Sequence, residues 1–162
     1  GNLPYNISTE ILSKWIINLK DNFWFDHLVL MFQKEVAERI IAKFNNSTYG
    51  RLSILANWKL NIEKICDIGP SSFSPRPKID STLLFFKPKK KFFKLNNPKS
   101  LEIITRIFFM HRRKMIKKPY KQLFNDNLDI ALKLGINLEL RPQNLDFHSY
   151  YKLANELENL KS

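Results

Sequence analysis

Cysteine, glycine and clustered histidine are scarce in this sequence, and each shortage excludes a kind of site. Cys66 is the only cysteine among 162 residues, so the chain can form no internal disulfide and no thiolate zinc cluster. Glycine occurs four times and never as Gly-x-Gly, so the chain does not encode the glycine-rich phosphate loop of a Rossmann fold. The three histidines lie far apart in the sequence, and we therefore expect no metal site.

Acidic residues and long apolar runs are scarce as well. Only 15 Asp and Glu residues stand against 27 Lys and Arg residues, which gives a formal net charge of +12. Such an excess favours a polyanionic partner, nucleic acid first and an anionic membrane surface second, although cations also serve solubility alone. No apolar run has the length of a membrane span, and we expect no signal peptide. We therefore expect a cytoplasmic protein without membrane attachment.

Apolar and aromatic side chains are abundant. They make up 44% of the chain, and 13 of them are Phe, so a packed core is expected rather than global disorder. The length suits one ordinary domain or one and a half small ones. The first residue is Gly1 rather than Met, which leads us to expect a fragment or a processed product.

The spacing of apolar residues predicts an α/β unit in the first half of the chain, with a loop at residues 69–77. The predicted helices cover residues 8–19, 34–44 and 51–58, and the predicted strands cover residues 25–32, 61–68 and 79–86. The first strand is so continuously apolar that we expect it to be buried on both faces. The predicted sheet-side core includes Phe32, Ile54, Leu83 and Phe85.

The second half of the chain is predicted to be helical. The predicted helices cover residues 101–115, 123–134 and 147–160. A stretch rich in Lys and carrying proline precedes them. The sequence therefore divides into an α/β unit at residues 1–88, a basic linker at residues 89–98 and a helical unit at residues 99–162.

Asn2, Leu3, Pro4 and Tyr5 form a pattern suited to chemistry on the amine of adenine. That amine is a poor nucleophile because its lone pair is delocalised into the ring. The side-chain carbonyl of Asn2 and the backbone carbonyl of Leu3 can hold both amine protons, and Pro4 stiffens the loop. Tyr5 offers a flat face on which an extruded base can stack. The same four residues also suit an ordinary turn between a strand and a helix, so the pattern gains weight only from other motifs.

Two further motifs point to a nucleic acid. The loop at residues 73–77 carries a rigid Pro-x-Pro sequence that can present Phe73 as a second aromatic wall, although a core Phe in a plain loop is also possible. A run of cations on the helix predicted at residues 101–115 and just beyond it suits contacts with a phosphate backbone. Its members are Arg112, Arg113, Lys114, Lys117 and Lys118. The alternative is a solvated helix end whose cations stabilise the helix dipole.

Five ordered segments together resemble one family. They are residues 1–8 (Gly-Asn-Leu-Pro-Tyr-Asn-Ile-Ser), 33–36 (Gln-Lys-Glu-Val), 49–53 (Tyr-Gly-Arg-Leu-Ser), 73–81 and 109–114. So ordered and spaced, they resemble the ribosomal RNA adenine dimethyltransferases of the bacterial small-subunit type, to which the erythromycin-resistance methylases are related. The resemblance covers essentially the whole chain. The fold it implies is the C-terminal half of a Rossmann-like methyltransferase sheet followed by a small all-helical domain.

The resemblance also implies an activity. Members dimethylate adenosines in a hairpin near the 3′ end of small-subunit ribosomal RNA, with S-adenosylmethionine as methyl donor. Asn2 would then accept from the target amine and lie beside the cofactor, Leu3 would provide the second acceptor, and Tyr5 and Phe73 would flank the base. The helical unit would bind ribosomal RNA, and the protein would be a monomer. Because no Gly-x-Gly is present, we expect this chain to lack the cofactor-binding half and to be inactive alone.

Three other readings remain open at the level of sequence. The chain can be a catalytically inactive module that binds ribosomal RNA or precursor ribosomes. Cofactor binding would discriminate between this module and a methyltransferase. A DNA adenine methyltransferase would use a related loop, but Leu3 in place of proline and the ribosomal-type tail argue against it. A peripheral membrane protein would need a strongly amphipathic basic helix. The one candidate for such a helix, in residues 101–118, has its cations clustered at one end.

Overall fold

Helices and strands alternate in the first part of the chain, which a computed structural model describes over residues 8–162. The elements are α1 (Ser8–Asn18), β1 (Leu28–Gln33), α2 (Lys34–Ile41), α3 (Arg51–Lys59), β2 (Leu60–Ile68) and β3 (Ser81–Pro88). All six elements expected from the sequence are present. Helix α2 ends three residues earlier than predicted, because Ala42 is already extended and Asn45 has a left-handed φ of 68°.

The three strands form one antiparallel sheet in the order β1-β3-β2. Strand β3 runs antiparallel to both neighbours, so β1 and β2 are parallel to each other and need the crossover that α2 and α3 provide. Ile65 is an extra residue in β2, where the register with β3 shifts between Lys64 and Cys66. The α/β class predicted from the sequence is confirmed.

Only one face of the sheet is deeply buried by the described helices. Leu84 and Phe86 are fully buried on that face, where α1 and α2 contribute apolar side chains to the same core. The prediction that placed Leu83 and Phe85 there was wrong. Both point to the opposite face and are only half-buried, because side chains alternate along a strand.

Two related core predictions need correction. Strand β1 is not buried along its whole length on both faces as expected, since only Met31 and Phe32 are buried and its other four residues are half-buried. Phe32 does belong to the sheet-side core, where its ring centroid lies 6.1 Å from that of Phe86. Ile54 is fully buried as well, but it packs in the core of the helical part rather than against the sheet.

Four helices form the second part. They are α4 (Lys99–Phe108), α5 (Lys117–Phe124), α6 (Leu128–Leu134) and α7 (Phe147–Lys161). The helix predicted at residues 101–115 was too long, because α4 gives way to a single 3-10 turn at Phe109–His111. A tertiary contact explains the end. Ile116 is fully buried and its N–H donates to the carbonyl of Leu140 at 2.8 Å, which a helix continued to residue 115 would not allow.

The single helix predicted at residues 123–134 is two helices in the structure. Asn125 and Asp126 adopt left-handed φ values of 50° and 62°, which ends α5. The side chain of Asn127 then accepts from the N–H of Asp129 at 3.0 Å and caps α6. The helix predicted at residues 147–160 is confirmed as α7.

Helix α3 contributes to both cores. Ile54, Leu55 and Trp58 pack in the core of the helical part, whereas Ala56 packs in the sheet-side core. The stretch predicted as a basic linker is held at several points. The Trp58 indole N–H donates to the carbonyl of Phe93 at 2.7 Å. The Glu158 carboxylate accepts from the N–H groups of residues 96 and 97.

In residues 8–162, no helix combines the length and apolar character needed to cross a membrane.

Candidate functional site

The predicted catalytic loop leads into a firmly anchored helix. Asn2, Leu3, Pro4 and Tyr5 themselves lie outside the described residues. Helix α1 starts at Ser8, only three residues after Tyr5, and buries Leu12 and Ile16 against the sheet. Core packing therefore fixes helix α1, the element that follows the predicted loop in the sequence.

Phe73 lies in the loop between β2 and β3. A 3-10 turn at Pro70–Ser72 precedes it, and its N–H donates to the carbonyl of Pro70 at 3.2 Å. Its side chain is half-buried, so part of the ring faces solvent. Backbone turns rather than a helix or strand set the position of this ring.

The base of the Phe73 loop is closed by Asp67. Its carboxylate accepts from Lys64 Nζ at 2.8 Å and from Thr82 Oγ1 at 2.6 Å, and it lies 3.8 Å from Lys34 Nζ. The Lys64 ammonium and the Thr82 hydroxyl hold the pKa of Asp67 below its ordinary value. Because Asp67 is on β2 and Thr82 on β3, these contacts hold the two ends of the loop together.

Four of the five predicted RNA-contacting cations face solvent. Arg113 and Lys114 follow the 3-10 turn, and Lys117 and Lys118 begin α5, so they do not lie on one continuous helix as predicted. All four side chains are exposed, and among residues 8–162 none of them forms an ion pair. We call these four residues the cation surface. Their charge is available to phosphate groups.

Arg112 points inward instead. Its guanidinium donates to three backbone carbonyls of the segment that leads into α3, those of Asn46 (3.3 Å), Ser47 (2.6 Å) and Tyr49. It also lies over the ring of Phe109, 5.8 Å from the centroid. Arg112 therefore ties the start of the cation surface to the loop before α3.

Tyr49 completes this link. The side chain is fully buried, and its hydroxyl donates to the carbonyl of Leu145 at 2.7 Å, just before α7. Burial raises the pKa of Tyr49 far above its ordinary value, so the hydroxyl keeps its proton and remains a donor. The residue joins the α2–α3 loop to the helical part through its side chain and to Arg112 through its carbonyl.

A cleft of about 1120 Å³, lined mostly by polar and charged residues, lies between α1, α2, α3 and α4 and is bordered by Arg112. Its acidic residues are paired with cations of the same cleft. The pairs are Glu10–Lys14 at 2.6 Å, Glu35–Arg39 at 2.5 Å and Glu102–Arg51 at 3.2 Å. Its volume slightly exceeds the usual range for ligand clefts, roughly 300–1,000 Å³. Sequence reasoning missed this cleft, because it is assembled from four separate elements. The sequence indicates only the two pairs at i,i+4 spacing, Glu10–Lys14 and Glu35–Arg39.

A solved structure shares this architecture. The crystal structure of a dimethyladenosine transferase from Plasmodium falciparum matches with a TM-score of 0.80 and 30% sequence identity. The match covers 98% of this chain and 65% of that chain. The three-stranded sheet with its helical extension therefore defines the class as an α/β methyltransferase fold, of which this chain matches the C-terminal region.

Sequence comparison identifies the family. The profile of the ribosomal RNA adenine dimethylase family matches residues 1–159. The ribosomal RNA small subunit methyltransferase A of Pelagibacter ubique is 68% identical over 99% of this chain, and that of Ehrlichia canis is 43% identical over 97%. This chain belongs to the ribosomal RNA adenine dimethylase family. It spans 62% and 59% of the length of those two relatives.

Proposed function

We propose that the protein to which this chain belongs dimethylates the N6 atom of adenosines in a hairpin near the 3′ end of small-subunit ribosomal RNA. The observation that carries the proposal is the family match over residues 1–159, which includes the loop at Asn2, the Phe73 loop and the cation surface together. The proposal includes a cytoplasmic monomer that acts on the RNA or on precursor small subunits.

Base capture is assigned to two aromatic residues, with Asn2 and Leu3 as acceptors. In the proposed mechanism the target adenosine leaves its stack and enters between Tyr5 and Phe73, which offsets part of the unstacking cost of a few kcal/mol. The Asn2 side-chain carbonyl and the Leu3 backbone carbonyl accept from the amine and favour its pyramidal form. Positioning and electrostatics then lower the barrier without a covalent enzyme intermediate. The half-exposed ring of Phe73 and the closed base of its loop support this assignment.

RNA binding is assigned to the cation surface. Arg113, Lys114, Lys117 and Lys118 are exposed and contact phosphates in this proposal. Arg112 contributes indirectly, because its guanidinium is already occupied by the carbonyls of residues 46, 47 and 49. We propose that it holds the segment before α3 in place while its neighbours contact the RNA backbone.

The cofactor in this proposal is S-adenosylmethionine, which supplies an electrophilic methyl group when bound. Among the residues of this chain only Asn2 is assigned a place beside it. The 162 residues contain no Gly-x-Gly, so they do not fit the main cofactor site by themselves. We place that site outside this chain and expect the chain alone to be inactive.

Methylation of precursor small subunits tests the proposal. The protein encoded by the complete gene is incubated with S-adenosylmethionine and subunits that lack the modification, and the 3′ fragment of the RNA is analysed by mass spectrometry. Two methyl groups per target adenosine are expected, and methyl transfer that is slower by about 10²–10³ with the Asn2→Ala variant. If the wild type binds the RNA but transfers no methyl group, the alternative of a catalytically inactive RNA-binding module replaces this proposal.

A further inference from the structure

A row of aromatic rings leads from the core to the surface near the start of β1. Trp58 is 1% exposed and meets Phe92 edge-on, with ring centroids 6.4 Å apart. Phe92 meets Phe23 at 6.3 Å, Phe23 meets Phe25 at 5.8 Å, and Phe25 meets Trp24 at 5.0 Å. Trp24 ends the row with 73% of its surface exposed. Its indole is therefore solvent-exposed but rests on rings that are anchored in the core.

The two segments that build this row are also joined by charge. The Asp21 carboxylate lies 3.2 Å from Lys94 Nζ and 3.2 Å from Lys59 Nζ. Lys59 is almost fully buried and its ammonium also lies 4.3 Å from the centroid of a Trp58 ring. These contacts fix residues 20–25 against residues 89–94, so that the two segments present one surface.

Four exposed lysines lie on the same two joined segments as the exposed indole. We call the set the aromatic–lysine surface, and it consists of Lys20, Trp24, Lys90, Lys91 and Lys94. The neighbouring Lys89 is different, because its ammonium donates to the carbonyl of Asn57 and it is half-buried. An exposed indole beside several cations is the combination that stacks on bases and contacts phosphates in nucleic-acid-binding proteins.

We propose that the aromatic–lysine surface is a second RNA-binding site, at which an unpaired base stacks on Trp24 and flanking phosphates contact Lys90 and Lys91. The inference rests on the proposed ribosomal RNA function and extends it, since the site lies outside both the cation surface and the predicted base-binding residues. Charge favours a polyanion, because the two segments carry five lysines at positions 20, 89, 90, 91 and 94 against one aspartate at position 21. The proposed ribosomal RNA function and the exposed indole, which can stack on a base, favour RNA. An anionic lipid surface is the alternative occupant.

Binding measurements with substituted proteins test the site. The protein encoded by the complete gene is titrated with a transcript of the 3′ region of small-subunit ribosomal RNA. Trp24→Ala should raise the Kd about tenfold, and Trp24→Phe, which keeps an aromatic face, should stay within about threefold of the wild type. Lys90→Ala and Lys91→Ala should each lower the log–log salt slope by about one unit. The contribution of Trp24 to the tryptophan fluorescence is the difference between the wild type and Trp24→Phe. RNA binding should quench this contribution.

Leu132→Ala is the matched control, because Leu132 is an apolar side chain with 78% exposure on α6 and lies outside the surface. It should leave the Kd unchanged. Lys114→Ala serves as the positive control for the cation surface. Thermal unfolding of Trp24→Ala should match the wild type, because the substituted side chain is mostly solvent-exposed.

Three outcomes would overturn the inference. Normal affinity of Trp24→Ala, alongside weaker binding by Lys114→Ala, would reject this site while leaving the proposed function intact. If Trp24→Ala weakens binding to anionic phospholipid vesicles but leaves the RNA affinity unchanged, the surface binds lipid instead. Protection of Trp24 from iodide quenching in the free complete protein would show that the surface is already covered. By contrast, the absence of any RNA binding by the wild type would reject the proposed function itself.

Discussion

The guanidinium of Arg112 donates to the backbone carbonyl of Tyr49 across 63 positions of sequence. The same guanidinium also holds the carbonyls of Asn46 and Ser47, so one cation from the basic run fixes the loop that leads into α3. Arg112 and Arg113 are therefore adjacent in sequence but differ in environment. This difference gives the first prediction.

Substitution of Arg112 should destabilise the fold, and substitution of Arg113 should not. Arg112→Ala should lower the free energy of unfolding by about 2–3 kcal/mol, because it removes several hydrogen bonds from a charged donor. Arg113→Ala should change stability by less than about 0.5 kcal/mol, because the side chain is exposed. In RNA titrations at several salt concentrations, Arg113→Ala should lower the log–log slope by about one unit and Arg112→Ala should not. Equal loss of slope in both variants would place Arg112 on the RNA.

Substitutions at the predicted catalytic loop should separate chemistry from base capture. In the protein from the complete gene, Asn2→Ala should reduce single-turnover methylation by about 10²–10³ with nearly unchanged RNA affinity, because it removes a preorganised polar group. Tyr5→Ala and Phe73→Ala remove stacking surface, so both base capture and turnover should weaken. The assay uses precursor subunits with saturating cofactor. A near-normal rate for Asn2→Ala would exclude this loop as the catalytic one.

The 162-residue chain alone should not bind S-adenosylmethionine appreciably. It contains no glycine-rich loop after a strand, which is the usual source of backbone donors for such a cofactor. Isothermal calorimetry should therefore detect no binding at micromolar concentrations, whereas the protein from the complete gene should bind. Micromolar binding by the 162-residue chain would contradict the placement of the main cofactor site outside it.

Asp67 should make the Phe73 loop sensitive to acid. The contacts with Lys64 and Thr82 hold the pKa of Asp67 below its ordinary value of 3.8, so the folded state favours the ionised form. The stabilisation is then fully present above that ordinary value and is lost as the pH falls through the lower pKa of the folded state. Asp67→Asn should be less stable than the wild type at neutral pH, and the difference should vanish once the pH lies below the lowered pKa of Asp67 in the folded state. A difference that persists in acid would show that the carboxylate charge is not its cause.

The sequence predicted element types well where a periodic pattern was long. Helix α7 appears as expected because its apolar period is set locally, and the three strands appear within three residues of their predicted bounds. The choice of face on β3 could not be made, since Leu83, Leu84, Phe85 and Phe86 are all apolar and alternation is invisible in such a run. Helices α1 and α2 cover the face that carries Leu84 and Phe86, so tertiary packing determines which face of β3 is buried.

The local sequence pattern also could not predict where α4 ends, or which cations of the basic run face solvent and which point inward. No glycine or proline interrupts residues 101–115, so nothing in the segment itself ends the helix. The end depends on Ile116, which is buried beside Leu140, a residue distant in sequence. Likewise, Arg112 and Arg113 are identical in type, and only the folded loop before α3 distinguishes them. The candidate site could thus be predicted as a set of residues but not as an arrangement.

Helix α3 makes the two halves of the chain a single cooperative unit. Ala56 belongs to one core and Trp58 to the other. Unfolding of either core would therefore remove side chains of α3 from the other core. Heating should therefore give one calorimetric transition rather than two, with the calorimetric and van't Hoff enthalpies in agreement. A proteolytic cut that released the helices beyond β3 would deprive the sheet of a partner, and the remainder should lose its protection against hydrogen exchange.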